Sequence, residues 1–286
     1  MRLTDFVMKN FCLILFTLIG VYVQAQSVAY DNKIASLASI TPVDVSYLEC
    51  IYSHKVYDPI RDEDYEYFKI LEVGNSFSKY SSYGAYWVDS IINNQYPKGI
   101  TNANFTRLTT TARQTKTWSL ECMIKDLKTE SLKSYDKVFI DRYVYEETFP
   151  KIQWELGNET QEICGYKCNK ATGHFRGRNW TAWYSEKIPI DNGPWKFGNL
   201  PGLILKIEDD DHEHIFEAIS IRNSNFDFGL SQYHYIKTTR EKFNKALAEF
   251  KLNPGNFVAG SPILLKNKNG KPIPNNRMFF NPIEKE

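Results

Sequence analysis

The sequence predicts a mainly β fold: a curved antiparallel sheet that forms an open barrel or a sandwich, together with two short helices. Apolar and polar residues alternate along many segments from residue 43 onward, as strands require. Glycine, proline and asparagine separate these short segments, and only two stretches show helical spacing. Hydrophobic residues make up 42% and aromatic residues 15% of the chain, enough to bury a sizeable core.

The first 25 residues have the features of a cleavable signal peptide. Arg2 and Lys9 precede an apolar run over residues 11–23, and small residues follow, ending at Ala25. The run is shorter than the roughly 20 residues that span a bilayer, so a retained anchor is the less favoured alternative. We therefore predict cleavage after Ala25, a periplasmic or secreted protein, and no transmembrane segment in the mature chain.

The mature chain, residues 26–286, is expected to form one β-rich domain. Residues 43–50 and 65–73 alternate and predict a hairpin. Apolar residues at helical spacing predict a helix over residues 82–95, and a polar, threonine-rich stretch follows. Further strands are predicted over residues 118–124, 137–146, 152–156, 161–171, 178–186, 203–208 and 214–222.

The second helix is predicted over residues 239–251, because its apolar residues share one face and Pro254-Gly255 would end it. Residues 253–286 contain five of the twelve prolines and the turn pair Asn269-Gly270. We expect this last part to be an irregular or edge segment.

Charge and motif content exclude several classes of function. Lys and Arg total 35 against 34 for Asp and Glu, so the chain has no basic excess with which to bind nucleic acid or anionic lipid. The usual hydrolase, metalloprotease and nucleotide-binding signatures do not occur. No catalytic residue, cofactor or nucleic-acid partner is predicted.

Four cysteines remain after the predicted cleavage: Cys50, Cys122, Cys164 and Cys168. In an oxidising compartment an even number suggests disulfides, whose three connectivities the sequence leaves open; buried free thiols are the alternative. If residues 164–168 are extended, the Cα atoms of Cys164 and Cys168 lie about 13 Å apart, which excludes that pair.

Residues 165–206 contain the densest cluster of unusual residues. This part resembles the GLPGLI family of exported Bacteroidetes proteins, whose motif stands here as Asn199, Leu200, Pro201, Gly202, Leu203 and Ile204. Residues 165–168, 176–183, 193–198 and 281–284 also resemble that family. The resemblance implies export but no activity, because the biochemical function of the family is uncharacterised.

The motif and the loop before it have a local physical interpretation. Asn199 replaces the first glycine of the motif and tolerates positive φ better than most residues. Pro201 and Gly202 suit the two central positions of a type II turn. Trp195 and Phe197 should fold back against the sheet, with Lys196 facing solvent or a ligand; the loop either plugs one end of the core or grips a ligand.

Arginine and tryptophan are concentrated in the predicted strand nearby. Arg176, Arg178 and Trp180 would share one face and Trp183 the other. An arginine stacked on a tryptophan contributes about 0.5–2 kcal/mol. Such a face could bind a carboxylate, a sugar ring or a lipid headgroup, or it could be a cross-strand ladder that satisfies itself.

One short run resembles a metal site. Asp211, His212 and His214 lie between two predicted strands, and both histidines would share a face if the second strand has begun. A polar hairpin turn requires the same composition, and the sequence offers no distant third ligand of recognisable spacing.

From these features we predict a non-enzymatic cell-envelope protein that holds a small ligand or an envelope protein near residues 176–183 and 195–204. Two alternatives stay open at this stage. One is a metal-dependent hydrolase that uses His212 and His214, and the other is an assembly factor for an outer-membrane complex.

Overall fold

A computed structural model describes residues 40–114, 119–259 and 277–285. The predicted signal peptide and the Asn269-Gly270 turn lie outside these residues. The described residues fall into two compact units, residues 87–114 and the remainder. No helix in these ranges is long and apolar enough to cross a membrane.

The smaller unit contains two helices, α1 (Tyr83–Gln95, whose first turn belongs to the larger unit) and α2 (Asn102–Gln114). The prediction of α1 is confirmed, whereas α2 was missed because its sequence is rich in threonine. The hydroxyl groups of Thr109 and Thr111 donate to the carbonyls of Phe105 and Arg107, four residues earlier. Threonine is therefore accommodated within the helix, as its hydroxyl permits.

The larger unit is built on one twelve-stranded sheet. Its spatial order is β12-β6-β5-β4-β3-β2-β1-β11-β10-β9-β8-β7. The strands are β1 (Ile40–Asp58), β2 (Glu63–Val73), β3 (Phe77–Ser82), β4 (Cys122–Asp126), β5 (Ser131–Val138), β6 (Asp141–Thr148), β7 (Trp154–Ile163), β8 (Tyr166–Phe175), β9 (Arg178–Ser185), β10 (Leu203–Asp209), β11 (His214–Ser231) and β12 (Ile236–Lys237).

The predicted mainly β class is confirmed. Neighbouring strands are antiparallel except for the short β12, which runs parallel to β6 at one edge. The first predicted hairpin is present as β1 and β2, and residues 203–208 and 214–222 form β10 and part of β11. Strand β3 was not predicted from the sequence; it pairs with β2 and continues the sheet.

Two segments predicted as single strands are each divided by a tight hairpin turn. Residues 137–146 contain the end of β5 and most of β6, and residues 161–171 contain parts of β7 and β8. At the second turn Cys164 and Gly165 have φ of 51° and 78°. Two-residue hairpins favour positive φ, and cysteine gives no turn signal, so the pattern concealed the break.

Helix α3 (Arg240–Leu252) confirms the second helix prediction. It begins after Thr239, whose side chain accepts a hydrogen bond from the backbone N–H of Lys242 at 3.3 Å. Pro254 does not end the helical region but starts a short helix, α4 (Pro254–Ala259), since proline suits the first helical position. Residues 277–285, the C-terminal segment, contain no strand or helix, as predicted for this part.

The sheet is strongly curved, because strands far apart in its order meet. Arg176, in the β8–β9 turn, donates to Glu147 of β6 at 2.7 Å although nine strand positions separate β6 from β8. The loop between β9 and β10 lies against the inner face: Lys125 of β4 donates to Asn192 at 2.7 Å and to the carbonyl of Phe197 at 2.8 Å. The core therefore lies on the concave face, with this loop inside it.

Candidate functional site

A cavity of about 500 Å³ lies on the concave face of the larger unit. Residues of β1, β2, β4, β5 and β6 form one wall, helix α3 forms a second, and the C-terminal segment forms a third. Seven tyrosine, tryptophan and phenylalanine side chains are among its lining residues: Tyr67, Tyr135, Tyr145, Trp195, Phe243, Phe279 and Phe280. A concave, largely apolar site with a few polar groups is the usual form of a ligand pocket.

Strand alternation explains which side chains reach the cavity. His54 lies opposite Tyr67 in the register of β1 and β2, and Lys69 follows two residues later on the same face. Met123 of β4 lies opposite Ser134 of β5. These five residues all line the cavity, so adjacent strands contribute one continuous inner surface.

An ion pair occupies the sheet wall of the cavity. The Lys69 ammonium donates to the Glu121 carboxylate at 2.5 Å and to the Ser119 hydroxyl at 3.1 Å. The Lys69 side chain is only 6% exposed, so its charge depends on this partner. The Glu121 carboxylate therefore lies at the cavity surface in contact with a lysine.

Asp136 of β5 lies beside this ion pair. The register pairs Cys122 with Tyr135, which brings Glu121 opposite Asp136 one residue further along. The Asp136 carboxylate accepts the backbone N–H of Lys137 at 2.7 Å and, within the described residues, has no cation within ion-pair distance. Burial, together with the negative charge of Glu121, raises the pKa of Asp136 to about 7.

Lys251 enters the cavity from the last turn of α3. Burial lowers the pKa of its ammonium, although the neighbouring Asp136 acts in the opposite direction. An acid with a raised pKa and an amine with a lowered pKa therefore face one cavity. Clusters of shifted pKa values are typical of functional sites.

Two buried histidines form another part of the wall. Nε2 of His54 lies 3.2 Å from Nδ1 of His214, and the His54 ring stacks on Phe216 with centroids 3.8 Å apart. Burial holds the pKa of His54 well below its usual range and lowers that of His214 to about 3. Both imidazoles are consequently neutral at physiological pH, so this wall carries no charge.

The predicted metal ligands Asp211, His212 and His214 are not brought together. His212 lies in the β10–β11 turn with its side chain 66% exposed, whereas His214 is buried beside His54. The turn residue has φ of 54°, so the strand has not begun there and the two histidines do not share a face. Across residues 40–114, 119–259 and 277–285, no three His, Cys, Asp or Glu side chains converge as metal ligands.

The structure also differs from the strand face of arginine and tryptophan residues that the sequence predicts. Arg176 lies in the β8–β9 turn with φ of 53°, so it does not share a strand face with Arg178 and Trp180. Arg178 is buried and pairs with Asp209 at 2.5 Å and Glu213 at 2.6 Å. Trp180 is buried as well, which favours the self-satisfied alternative over an open binding face.

Trp183 lies on the other face of β9, as predicted. It is half-buried, and the Lys170 ammonium lies 5.8 Å from the centroid of its ring. The cavity is formed by other residues, and Trp183 is not among those that line it.

Arg178 holds the C-terminal segment in place. Its guanidinium donates to the carbonyls of Pro282 and Ile283 at 2.9 and 3.0 Å, and to the side-chain oxygen of Asn281 at 2.9 Å. Glu284 is held separately: its carboxylate accepts from Lys196, Arg240 and Asn244, between 2.6 and 2.9 Å. These bonds fix the third wall of the cavity.

In the loop before the motif, Trp195 and Phe197 are buried as predicted, but Lys196 is buried too. Lys196 pairs with Glu147 at 2.5 Å and Glu284 at 2.6 Å. Burial alone would lower its pKa, yet Tyr145 and these carboxylates hold the pKa above its ordinary value. The prediction of an exposed lysine failed because Trp195 has φ of 51°, so the loop does not alternate like a strand.

The motif residues have structural roles. Asn199 has φ of 65°, the conformation expected from its glycine-like position. Gly202 does not have positive φ, so the predicted type II turn was wrong. Glycine is required there because a Cβ atom would lie 2.2 Å from the carbonyl oxygen of Ser185.

Cys50, Cys122, Cys164 and Cys168 are free thiols in the structure. Cys50 and Cys168 are buried, in agreement with the free-thiol alternative. Cys164 lies in a turn, so residues 164–168 are not fully extended. The Cα distance expected for an extended chain therefore does not apply to Cys164 and Cys168.

The family model described as "N-glycanase peptide, N-terminal domain" matches residues 82–245, which is more than half of the chain. The chain belongs to this family. The match extends from the start of α1 into α3 and includes Glu121, Asp136 and Trp195. The N-glycanase N-terminal domain family match does not include β1, β2, Lys251 or the C-terminal segment.

Two solved structures of PNGF-II, in space groups C2 and P21, are similar to the chain at 13% and 12% identity, each with a TM-score of 0.48. They cover 72% and 79% of this chain, which spans 33% and 39% of theirs. The chain thus has little more than a third of the length of these relatives. No curated protein matches it.

Sequence reasoning missed four titratable groups among those that line the cavity: Lys69, Glu121, Asp136 and Lys251. In a strand, Ser134 and Asp136 lie on the same face and Tyr135 lies on the other. That alternation could have placed Asp136 on the inner face. The predicted strand began at residue 137, however, so Asp136 fell outside it.

Proposed function

We propose that this protein is an exported, non-enzymatic binding module of the cell envelope that holds a small carbohydrate-type ligand in its concave cavity. The observation that carries this proposal is the cavity itself, with seven aromatic side chains and a short row of polar groups in its walls. Export is supported by the signal-like N-terminus of the sequence.

The chemistry of the walls suits an uncharged polar ligand. Sugar rings have apolar faces that can stack on aromatic rings such as Tyr67 and Trp195, and hydroxyl groups that need hydrogen-bond partners. The histidine pair is neutral, and Lys69 is paired with Glu121. The N-glycanase family description also supports a glycan-type ligand.

The proposed site differs from the one predicted from the sequence. Arg178 and Trp180 are buried in the protein's own contacts, and Lys196 is fully paired. Only Trp195 belongs to both sites, because it lines the cavity. The proposed kind of function is therefore the one expected from the sequence, but the binding site lies in a different part of the structure.

Isothermal titration calorimetry against N-glycan oligosaccharides and their component monosaccharides tests the proposal. The mature protein should bind at least one saccharide, and Tyr67→Ala should weaken that binding at least about tenfold, or about 1.4 kcal/mol. Trp183→Ala is the matched control, since it removes an aromatic ring outside the cavity, and it should bind like the wild type. An absence of saccharide binding at millimolar concentration, or equal losses in both variants, would rule the proposal out.

A further inference from the structure

We propose that Asp136 binds the ligand as a neutral carboxylic acid, donating a hydrogen bond to an uncharged ligand oxygen. The inference rests on the proposed function, since it concerns the same cavity. It makes Asp136 a specificity-determining residue: the site would accept hydroxyl, ether or carbonyl oxygens and would not depend on a ligand ammonium group.

The geometry provides two carboxyl groups but only one cation in contact. Glu121 directly precedes β4, next to the pair of Cys122 with Tyr135, and it lines the same cavity as Asp136 and acts on it electrostatically. The Lys69 ammonium contacts Glu121, whereas within the described ranges the Asp136 carboxylate accepts a hydrogen bond from the backbone N–H of Lys137 and contacts no cation. Two neighbouring carboxylates resist simultaneous ionisation, so the proton resides on the one that lacks the cation.

The charged and titratable groups around Asp136 come from the sheet and from α3. On the sheet, Glu121 disfavours its ionisation and Lys69 favours it, while Tyr143 lies opposite in the register of β5 and β6. From α3, Lys251 favours ionisation but lies beyond the 4.0 Å ion-pair distance in the structure. The effect of burial on the pKa of Asp136 is larger than the effects of these charges, so Asp136 stays protonated up to about pH 7.

A protonated Asp136 can donate a hydrogen bond to a ligand in the cavity. A neutral carboxyl group both donates and accepts a hydrogen bond, whereas a carboxylate only accepts. Apart from Lys251, the other cavity groups named above are neutral histidines, aromatic rings and a closed ion pair. A ligand oxygen facing Asp136 would therefore receive a hydrogen bond without bringing a buried charge.

The test measures saccharide affinity between pH 5 and pH 9 for the wild type and three variants. If the neutral acid binds, wild-type affinity should be about tenfold weaker at pH 8 and about a hundredfold weaker at pH 9 than at pH 5. Asp136→Asn, whose amide can also donate, should bind with little dependence on pH. Asp136→Ala should bind more weakly at pH 5, and Asp227→Asn, a change at an exposed position of β11, should follow the wild type.

The outcomes separate the inference from the proposed function. If no saccharide binds to the wild type, both are wrong. If saccharides bind but Asp136→Ala keeps the wild-type affinity and pH profile, only the role of Asp136 is wrong. If binding strengthens with rising pH and Asp136→Asn abolishes it, Asp136 acts as an anion and the inference is overturned. Circular dichroism of each variant shows that it is folded.

Discussion

Single buried cations hold distant parts of this chain together. Arg178 contacts two acidic residues near β11 and three oxygen atoms of the C-terminal segment. Lys196 joins β6 to the same segment through Glu147 and Glu284. Because each lysine or arginine is nearly inaccessible, its loss would leave buried carboxylates without a counter-charge.

Replacing Arg178 should reveal the strength of this arrangement. Arg178→Met should lower the free energy of unfolding by about 3–5 kcal/mol, because Asp209 stays buried and loses its cation. Urea denaturation followed by fluorescence measures the change. Lys133→Met is the control, since its pair with Glu146 is about half exposed and should contribute at most about 1 kcal/mol. Equal effects of the two changes would contradict this assignment.

Gly202 should tolerate no side chain. Gly202→Ala places a Cβ atom 2.2 Å from the Ser185 carbonyl oxygen, which is backbone and cannot rotate away. We expect a loss of about 3 kcal/mol in unfolding free energy, measured by urea denaturation.

The matched control for that change is Gly157→Ala in β7. A Cβ atom there would meet its nearest neighbour at 3.5 Å, an ordinary contact. This variant should stay within about 0.5 kcal/mol of the wild type. If Gly202→Ala is equally mild, the loop between β9 and β10 is less tightly placed than its geometry indicates.

At the level of elements, periodicity identified the regular structure well and its interruptions poorly. Helices α1 and α3 and the pairing of β1 with β2 follow from spacing alone. The turns at Phe139 and Cys164 have positive φ in residues that give no turn signal. Helix α2 was missed because side-chain hydroxyls bond back to the helix, which spacing does not reveal.

Helix α3 offers a direct test of an element boundary. Thr239→Ala removes the acceptor for the Lys242 N–H and should lower the free energy of unfolding by about 1 kcal/mol. Thr239→Ser keeps that acceptor and should restore most of the loss. Thermal unfolding by circular dichroism compares the three proteins, and an alanine variant as stable as the wild type would show that the cap is unimportant.

The candidate site was only partly accessible to sequence reasoning, and Lys196 shows why. The sequence indicated that bulky rings beside residue 196 would be buried, and Trp195 and Phe197 are. It could not indicate that Glu147 and Glu284, 49 and 88 residues away, would meet Lys196. The walls of the cavity are brought together by contacts between segments far apart in the sequence. Strand periodicity contains no information about such contacts.

For the whole molecule, Asp136 should make stability depend on pH. Its pKa is about 7 in the folded protein and near 3.8 when unfolded, so the folded state binds more protons between these values. Stability should therefore fall as pH rises from about 4 to about 7 and lose nothing further from this group above that range.

The corresponding variant isolates this contribution. Asp136→Asn removes the titration, so its stability relative to the wild type should increase from pH 4 to pH 7 and then stay constant. Urea denaturation at several pH values provides the comparison. A difference between the two proteins that does not change with pH would contradict a raised pKa.

The position of β1 has a consequence for synthesis. This strand of 19 residues pairs with β2 on one side and with β11 on the other. Its partner residues in β11 are translated some 160 to 190 positions later, as in the pair of Ile40 with Ser231. Until then one long edge of β1 has unpaired backbone groups, which attract other extended chains. The newly made polypeptide should consequently need a chaperone to cover that edge until β11 pairs with it.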